Sequence, residues 1–172
     1  MNLFSDISAG TEDEMNVIIE IPQGSRNKYE YDKEKQIFSL DRVVPEPLVY
    51  PATYGFIPQT HCEDGDAADV CLLMREAPFQ GTLVKVRAVG LLMMNDSGEE
   101  DNKIIAVPCD DPYYDHIKDL KDLAPHFLKE LSYFMEHYKD MKNKKVIANK
   151  YFGVKEAKEE FRKAVKAYKP LK

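Results

Sequence analysis

The sequence predicts a mainly β (α+β) fold, a β-barrel or sandwich with two α-helices packed outside it. Three observations predict it. Short stretches of β-branched or alternating residues recur between turn signals from Met15 to Pro108. The apolar period becomes helical only after Asp119. No repeat, low-complexity tract or linker divides the 172 residues, so a single domain over 1–172 is expected.

Met15 to Ile21 is rich in β-branched residues and reads as a strand closed by the turn Pro22-Gln-Gly-Ser. Lys28 to Asp32 alternates, with Tyr29 and Tyr31 on one face and Lys28, Glu30 and Asp32 on the other. Ile37 to Arg42 is a third strand, expected to pair antiparallel with the second. The stretch 45–58 holds four prolines and is expected to be at best a rigid extended loop carrying Tyr50 and Tyr54. Strands follow at Val70 to Met74, at Leu83 to Met94 and at Lys103 to Pro108. Gly90 in the second of these suggests a bulge or a close backbone approach, and residues 95–102 between the last two read as a hairpin connection. Beyond Asp119, residues Phe127, Leu128, Leu131, Phe134, Met135 and Tyr138 recur at helical spacing, with Asp122 as the expected N-cap and Pro125 in the first turn. A second helix runs from about Val154 to Tyr168, and Gly153 marks the break before it.

Thirty carboxylates against 24 Lys and Arg give a formal charge of −6, and no Lys/Arg run forms a basic patch, so nucleic acid and anionic membrane are not expected partners. The three cysteines, Cys62, Cys71 and Cys109, fit neither a disulfide framework nor a thiolate zinc site. They read as free thiols of a cytoplasmic protein. The N-terminus lacks the layout of a signal peptide, and no apolar run approaches the length of a membrane span.

The densest chemical signal is Asp64-Gly-Asp66-Ala-Ala-Asp69, directly before an apolar strand. Carboxylates this crowded repel one another, and an oxygen-only donor set suits magnesium, manganese or calcium, although a solvated acidic turn has the same composition. An EF-hand loop starting at Asp64 fails, because its sixth and twelfth places hold Asp69 and Arg75 instead of Gly and Glu. A covalent aspartyl phosphate is disfavoured because Thr60-His-Cys-Glu, not a buried strand, precedes Asp64. Asp96 and Asp101 form a second acidic pair in the hairpin loop, with Lys103 just beyond. Glu20, Lys28, Glu30 and Arg42 lie along the first three strands, where a planar guanidinium such as Arg42 suits phosphate oxygens. Tyr138 and Lys139 close the long helix, where the dipole favours the lysine.

With these groups in order, the chain resembles the family I soluble inorganic pyrophosphatases from Glu20 to about Lys139. The resemblance is carried by Ile-Glu-Ile-Pro at 19–22, Gly-Ser-Arg-Asn-Lys-Tyr-Glu-Tyr-Asp at 24–32, Asp-Arg at 41–42 and Tyr-Pro-Ala-Thr-Tyr-Gly-Phe-Ile-Pro at 50–58. It continues through Asp-Gly-Asp-x-x-Asp-Val at 64–70, Asp96, Asp-Asn-Lys at 101–103, Tyr-Asp-His-Ile-Lys-Asp at 114–119 and Glu-His-Tyr-Lys at 136–139. One departure is Ala67-Ala68, where the family usually carries Pro or Glu and then a larger apolar residue.

The resemblance implies a five-stranded OB-type β-barrel with the helices outside and hydrolysis of pyrophosphate to two orthophosphates without a covalent intermediate. It implies several Mg2+ ions held by Asp64, Asp69 and Asp101, with Asp96 and Glu20 as ligands or supporting groups. Lys28, Arg42, Tyr54, Tyr138 and Lys139 would bind pyrophosphate oxygens. Asp66 would be the general base for a metal-activated water, with Tyr54 and Lys103 as catalytic groups beside it and Glu30 and Tyr50 in support. By the same analogy a homo-oligomer, a homohexamer in particular, is expected. The alternative, a non-catalytic OB-type module gripping nucleic acid, needs a basic groove with stacking aromatics, which the charge pattern does not supply.

Overall fold

The computed structural model describes residues 1–169; residues 170–172 of the expected domain lie outside the described residues. Nine strands and two helices follow in the order β1 (Met15–Ile21), β2 (Asn27–Asp32), β3 (Ile37–Val43), β4 (Thr53–Phe56), β5 (Asp69–Leu72), β6 (Leu83–Asp96), β7 (Glu99–Glu100), β8 (Lys103–Pro108), α1 (Pro125–His137), β9 (Val146–Phe152) and α2 (Val154–Ala167). The mainly β class with two helices is as expected. Five strands close a ring of pairings, β1-β4-β5-β8-β6 and back to β1, whose register is interrupted in β1 and β6. β7 and β9 add to β6, while β2 and β3 form a separate antiparallel hairpin.

Alternation along the ring strands divides the apolar residues between the two helices. Cys71, Ile105 and Val107 join Leu131, Phe134 and Met135 of α1 in one cluster. Val70, Ile104 and Ala106 join Ala157, Phe161 and Ala164 of α2 in another. Each such side chain removed from water contributes roughly 1.5–3 kcal/mol, less for alanine, which holds both helices to the sheet.

Gly90 sits at the irregularity expected of it, and the close neighbour there is a side chain rather than a backbone. The β6–β8 register shifts between Ala88 and Gly90, and a Cβ at Gly90 would stand 2.3 Å from Leu120. Two expectations are corrected, and one further strand appears. The proline-rich stretch is not loop throughout: Thr53–Phe56 is the buried strand β4, paired on both sides. Its four prolines, Pro45, Pro47, Pro51 and Pro58, all lie outside those four residues, so no ladder donor is lost. Asp122 does not cap α1. It ends a 3-10 turn, Leu120–Asp122, where its carboxylate accepts from the Lys118 and Asp119 amides, and α1 starts after Ala124 with Pro125 first. Finally, Val146–Phe152 is a strand on β6 that the sequence reading left unassigned. Its inward residues, Val146 and Ala148, alternate over too short a run to stand out.

Candidate active site

The parallel pairing of β5 with β8 places Asp69 opposite Lys103. Lys103 is almost wholly buried, and its ammonium lies 2.5 Å from Asp69 Oδ2 and donates on its other side to Asp101 Oδ1. The two carboxylates hold the Lys103 pKa well above its usual range against the opposing effect of burial. Burial, reinforced by the charge of Asp69, pushes the Asp101 carboxyl upward despite Lys103. Asp64 and Asp66 come from the loop before β5. There the Asp66 amide donates to Asp64 Oδ1 at 3.0 Å, and Gly65 takes φ +92°, a value suited to glycine. The Asp66 side chain is mostly exposed, with Lys33 Nζ 3.5 Å away.

A second wall comes from the β2–β3 hairpin, where Lys28 pairs with Arg42. Like charges directly opposite repel. The register shift in this hairpin leaves Asp41 without a partner residue, and its carboxylate lies 3.4 Å from Lys28 Nζ and 3.5 Å from Arg42 Nε. Lys28 also donates to Glu30. Burial lowers the Lys28 pKa, but Glu30 outweighs it and the net shift is upward. The third wall is the C-terminal end of α1. Tyr138 is its C-cap, the Arg42 guanidinium lies 5.9 Å from the Tyr138 ring centroid, and the Lys139 ammonium donates to Asp96. Burial raises the Asp96 pKa, but the bonds from Lys139 and Ser97 prevail and leave it lowered.

These walls enclose a cavity of about 230 Å³ bordered by ten of the fourteen residues singled out from the sequence: Lys28, Tyr54, Asp64, Asp66, Asp69, Asp96, Asp101, Lys103, Tyr138 and Lys139. Glu20 and Glu30 border a neighbouring cavity of about 150 Å³ that shares Lys28, Tyr54, Asp66 and Asp69 with it. Tyr50 lies behind Tyr54, ring centroids 5.7 Å apart, and burial keeps both phenols well above their usual pKa. Glu20 is buried, accepts from the Tyr31 amide at 2.8 Å, and has a pKa raised to about 8 by burial and then by Asp69. Asp41, Lys33 and Glu99 also reach the site. Only Asp41 had a signal, its place beside Arg42 in the Asp-Arg pair; the other two look like ordinary turn charges.

Among the described residues, no three His, Cys, Asp or Glu side chains stand close enough to enclose an ion as they are. The donor chemistry nonetheless fits a hard divalent cation. Asp64, Asp69 and Asp101 offer only oxygen, and all three border one cavity. Cys62, Cys71 and Cys109 are free thiols, and burial lifts the first two to about 12, so thiolate ligation has no support. No described helix is long and apolar enough to cross a membrane.

Comparison with known proteins points the same way. The family model "Inorganic pyrophosphatase" matches residues 17–169. The chain is 46% identical over 152 residues to a soluble inorganic pyrophosphatase of Oryza sativa subsp. indica, covering 88% of this chain and 71% of that one. It is 47% identical over 131 residues to the inorganic pyrophosphatase of Bacillus sp. strain PS3, covering 76% and 79%. The crystal structure of inorganic pyrophosphatase from Thermus thermophilus superposes with a TM-score of 0.93 at 39% identity, over 98% of this chain and 99% of that one.

Proposed function

Because this chain belongs to the inorganic pyrophosphatase family, we propose that it hydrolyses pyrophosphate to two orthophosphates, with magnesium bound among Asp64, Asp69 and Asp101. The observation that carries this reading is the single cavity in which those carboxylates face Lys28, Lys103, Tyr138 and Lys139. Asp96 adds negative charge at its edge, and Glu20 a further carboxyl oxygen beside it. Magnesium held there supplies positive charge that offsets the phosphoryl oxygens and makes water easier to deprotonate.

The protein's own groups divide the remaining work. Lys28, Arg42 and Lys139 carry permanent charge, and Tyr54 and Tyr138 offer phenolic donors, so the substrate exchanges its hydration for fixed donors in a partly enclosed site. The cations are held in place before substrate arrives: Asp41 and Glu30 orient Lys28, Asp96 orients Lys139, and Asp69 with Asp101 fix Lys103 beneath the Tyr54 ring. Such pre-positioning lowers the cost of ordering the site during the reaction. Asp66, exposed and unencumbered except by Lys33, accepts the proton of the attacking water as general base. Tyr50 and Glu30 support Tyr54 and Lys28. No side chain here is required as a nucleophile, so the reaction is direct attack by water on phosphorus.

The closed ring of β1, β4, β5, β8 and β6 supports reading the fold as an OB-type barrel, and one domain accounts for the chain. A homo-oligomer, a homohexamer in particular, is part of the same proposal; exposed apolar residues such as Ile37, Leu40 and Val43 on β3 support it. The free thiols support a cytoplasmic location as part of the same proposal.

Phosphate release from pyrophosphate tests the reading. Activity with magnesium, its loss on chelation, and a fall of about 10²–10⁴-fold in Asp66→Asn and in Asp69→Asn are expected. Full activity in both variants would refute the assigned roles.

A further inference from the structure

Glu46 stands outside every cavity described above and was not singled out by its sequence context. It is nevertheless buried. Oε1 accepts a hydrogen bond from the Met141 amide at 2.9 Å, and Oε2 is sealed from solvent with no partner among the described residues. A carboxylate with one oxygen left unpaired is costly to bury, and an apolar side chain would fill the space at less cost.

Both ends of that bond lead to the active site. On the Glu46 side the backbone is held rigidly. Pro45 and Pro47 flank it, the Arg26 guanidinium donates to the carbonyls of Val44 and Glu46 at 3.2 and 3.0 Å, and the Val44 amide donates to the Arg26 carbonyl at 2.7 Å. The segment so fixed follows directly on β3 and Arg42. On the other side, Met141 lies in the 3-10 turn Asp140–Lys142, whose N-cap is Lys139 and whose Lys142 amide donates to the Lys139 carbonyl at 3.0 Å. Tyr138 immediately precedes it. Among the described residues this is the only hydrogen bond joining residues 22–50 to residues 125–145. The other links there are apolar and ring contacts, among them Arg42 over Tyr138, Tyr50 against Phe134, and Val44 in the same core cluster as Leu131 and Met135.

We propose that Glu46 is a positioning residue, a buried latch that sets the distance between the β2–β3 hairpin, which brings Lys28 to the substrate cavity and Arg42 over Tyr138, and the Tyr138–Lys139 wall of that cavity. It touches no reacting group and acts through the turn that carries Lys139. The inference rests on the pyrophosphatase reading given above.

The test compares wild type, Glu46→Gln, which keeps an acceptor for Met141, and Glu46→Ala, which does not. Pyrophosphate hydrolysis at saturating magnesium is measured alongside amide exchange at Met141. Glu46→Ala should lower kcat/KM about ten- to hundredfold, mainly through KM, and Glu46→Gln should restore it to within about threefold. In a Lys139→Ala background the alanine substitution should add less than about threefold, since the latch acts through that residue. If Glu46→Ala does not fold, Glu46→Asp, which withdraws the carboxylate by one methylene, takes its place. A wild-type KM in the variant that lacks the bond, whatever its melting temperature, overturns the proposal. So does a glutamine variant as impaired as alanine, or full additivity with Lys139→Ala. A wild type that releases no phosphate overturns the pyrophosphatase reading instead. Amide exchange still decides the latch in that case, because Met141 must exchange faster in Glu46→Ala than in wild type for it to stand.

Discussion

Lys103 and Asp69 face each other across adjacent parallel strands, 34 residues apart in the chain, with the lysine ammonium lodged between Asp69 and Asp101. A cation fixed there holds together two carboxylates that would otherwise repel. The cavity is thus pre-formed around a positive charge.

Lys103→Met is expected to destabilise the metal-free protein by about 3–5 kcal/mol, because both carboxylates are left partly buried without their partner. Magnesium should return part of that loss by occupying the same negative field. Urea unfolding with chelator and with magnesium measures both effects, and equal losses in the two conditions would contradict the charge argument.

Arg42→Lys keeps the charge but loses the planar fork and its contact with the Tyr138 ring. A fall of about ten- to hundredfold in kcat/KM, corresponding to roughly 1.4–2.8 kcal/mol, is expected with little change in melting temperature. Steady-state kinetics beside a thermal melt separates the two. An unchanged kcat/KM would remove Arg42 from the site.

Glu20 gives the metal-free protein a pH dependence of definite sign. Its folded pKa is about 8 against an ordinary 4.5, so between those values the folded state holds a proton that the unfolded state has released. Stability must then fall as pH rises from about 4.5 to about 8, at up to about 1.4 kcal/mol per pH unit. Below that window both states are protonated and the residue contributes nothing. Glu20→Gln should flatten this slope, which urea midpoints across the range in chelator would reveal. Parallel curves for the two proteins would show that Glu20 is ionised throughout.

Gly90→Ala places a Cβ 2.3 Å from Leu120 atoms, and overpacking of this kind costs about 1–3 kcal/mol. Leu120→Ala in the same chain should recover part of it, since the obstruction is a side chain. The midpoints of the two single variants and the double variant decide this, and strict additivity would place the strain in the backbone.

Much of the fold was legible because most elements announce themselves locally. Met15–Ile21 and Lys103–Pro108 have the same bounds in the sequence reading and in the structure, since β-branched runs between turn residues depend on nearest neighbours. The helix ending at Tyr138 showed its period in the same way. β4 was hidden because prolines were weighed across the whole stretch 45–58, whereas the ladder requires only the four donors of Thr53–Phe56. Asp122 lost the helix start to Ala124 because a 3-10 turn claimed its carboxylate first.

Composition and spacing by themselves determined the mainly β class and the two helices, and the resemblance of the ordered motifs to a known family supplied the roster of acidic, cationic and phenolic residues proposed for the site. The tertiary structure alone decided which of them meet. Lys103 with Asp69, Lys139 with Asp96 and Glu46 with Met141 are separated by 34, 43 and 95 residues. Periodicity reports how a side chain leans relative to its own strand or helix. Which distant strand lies alongside, and in what register, is set by burying all the apolar faces together, and no local stretch of sequence contains that information.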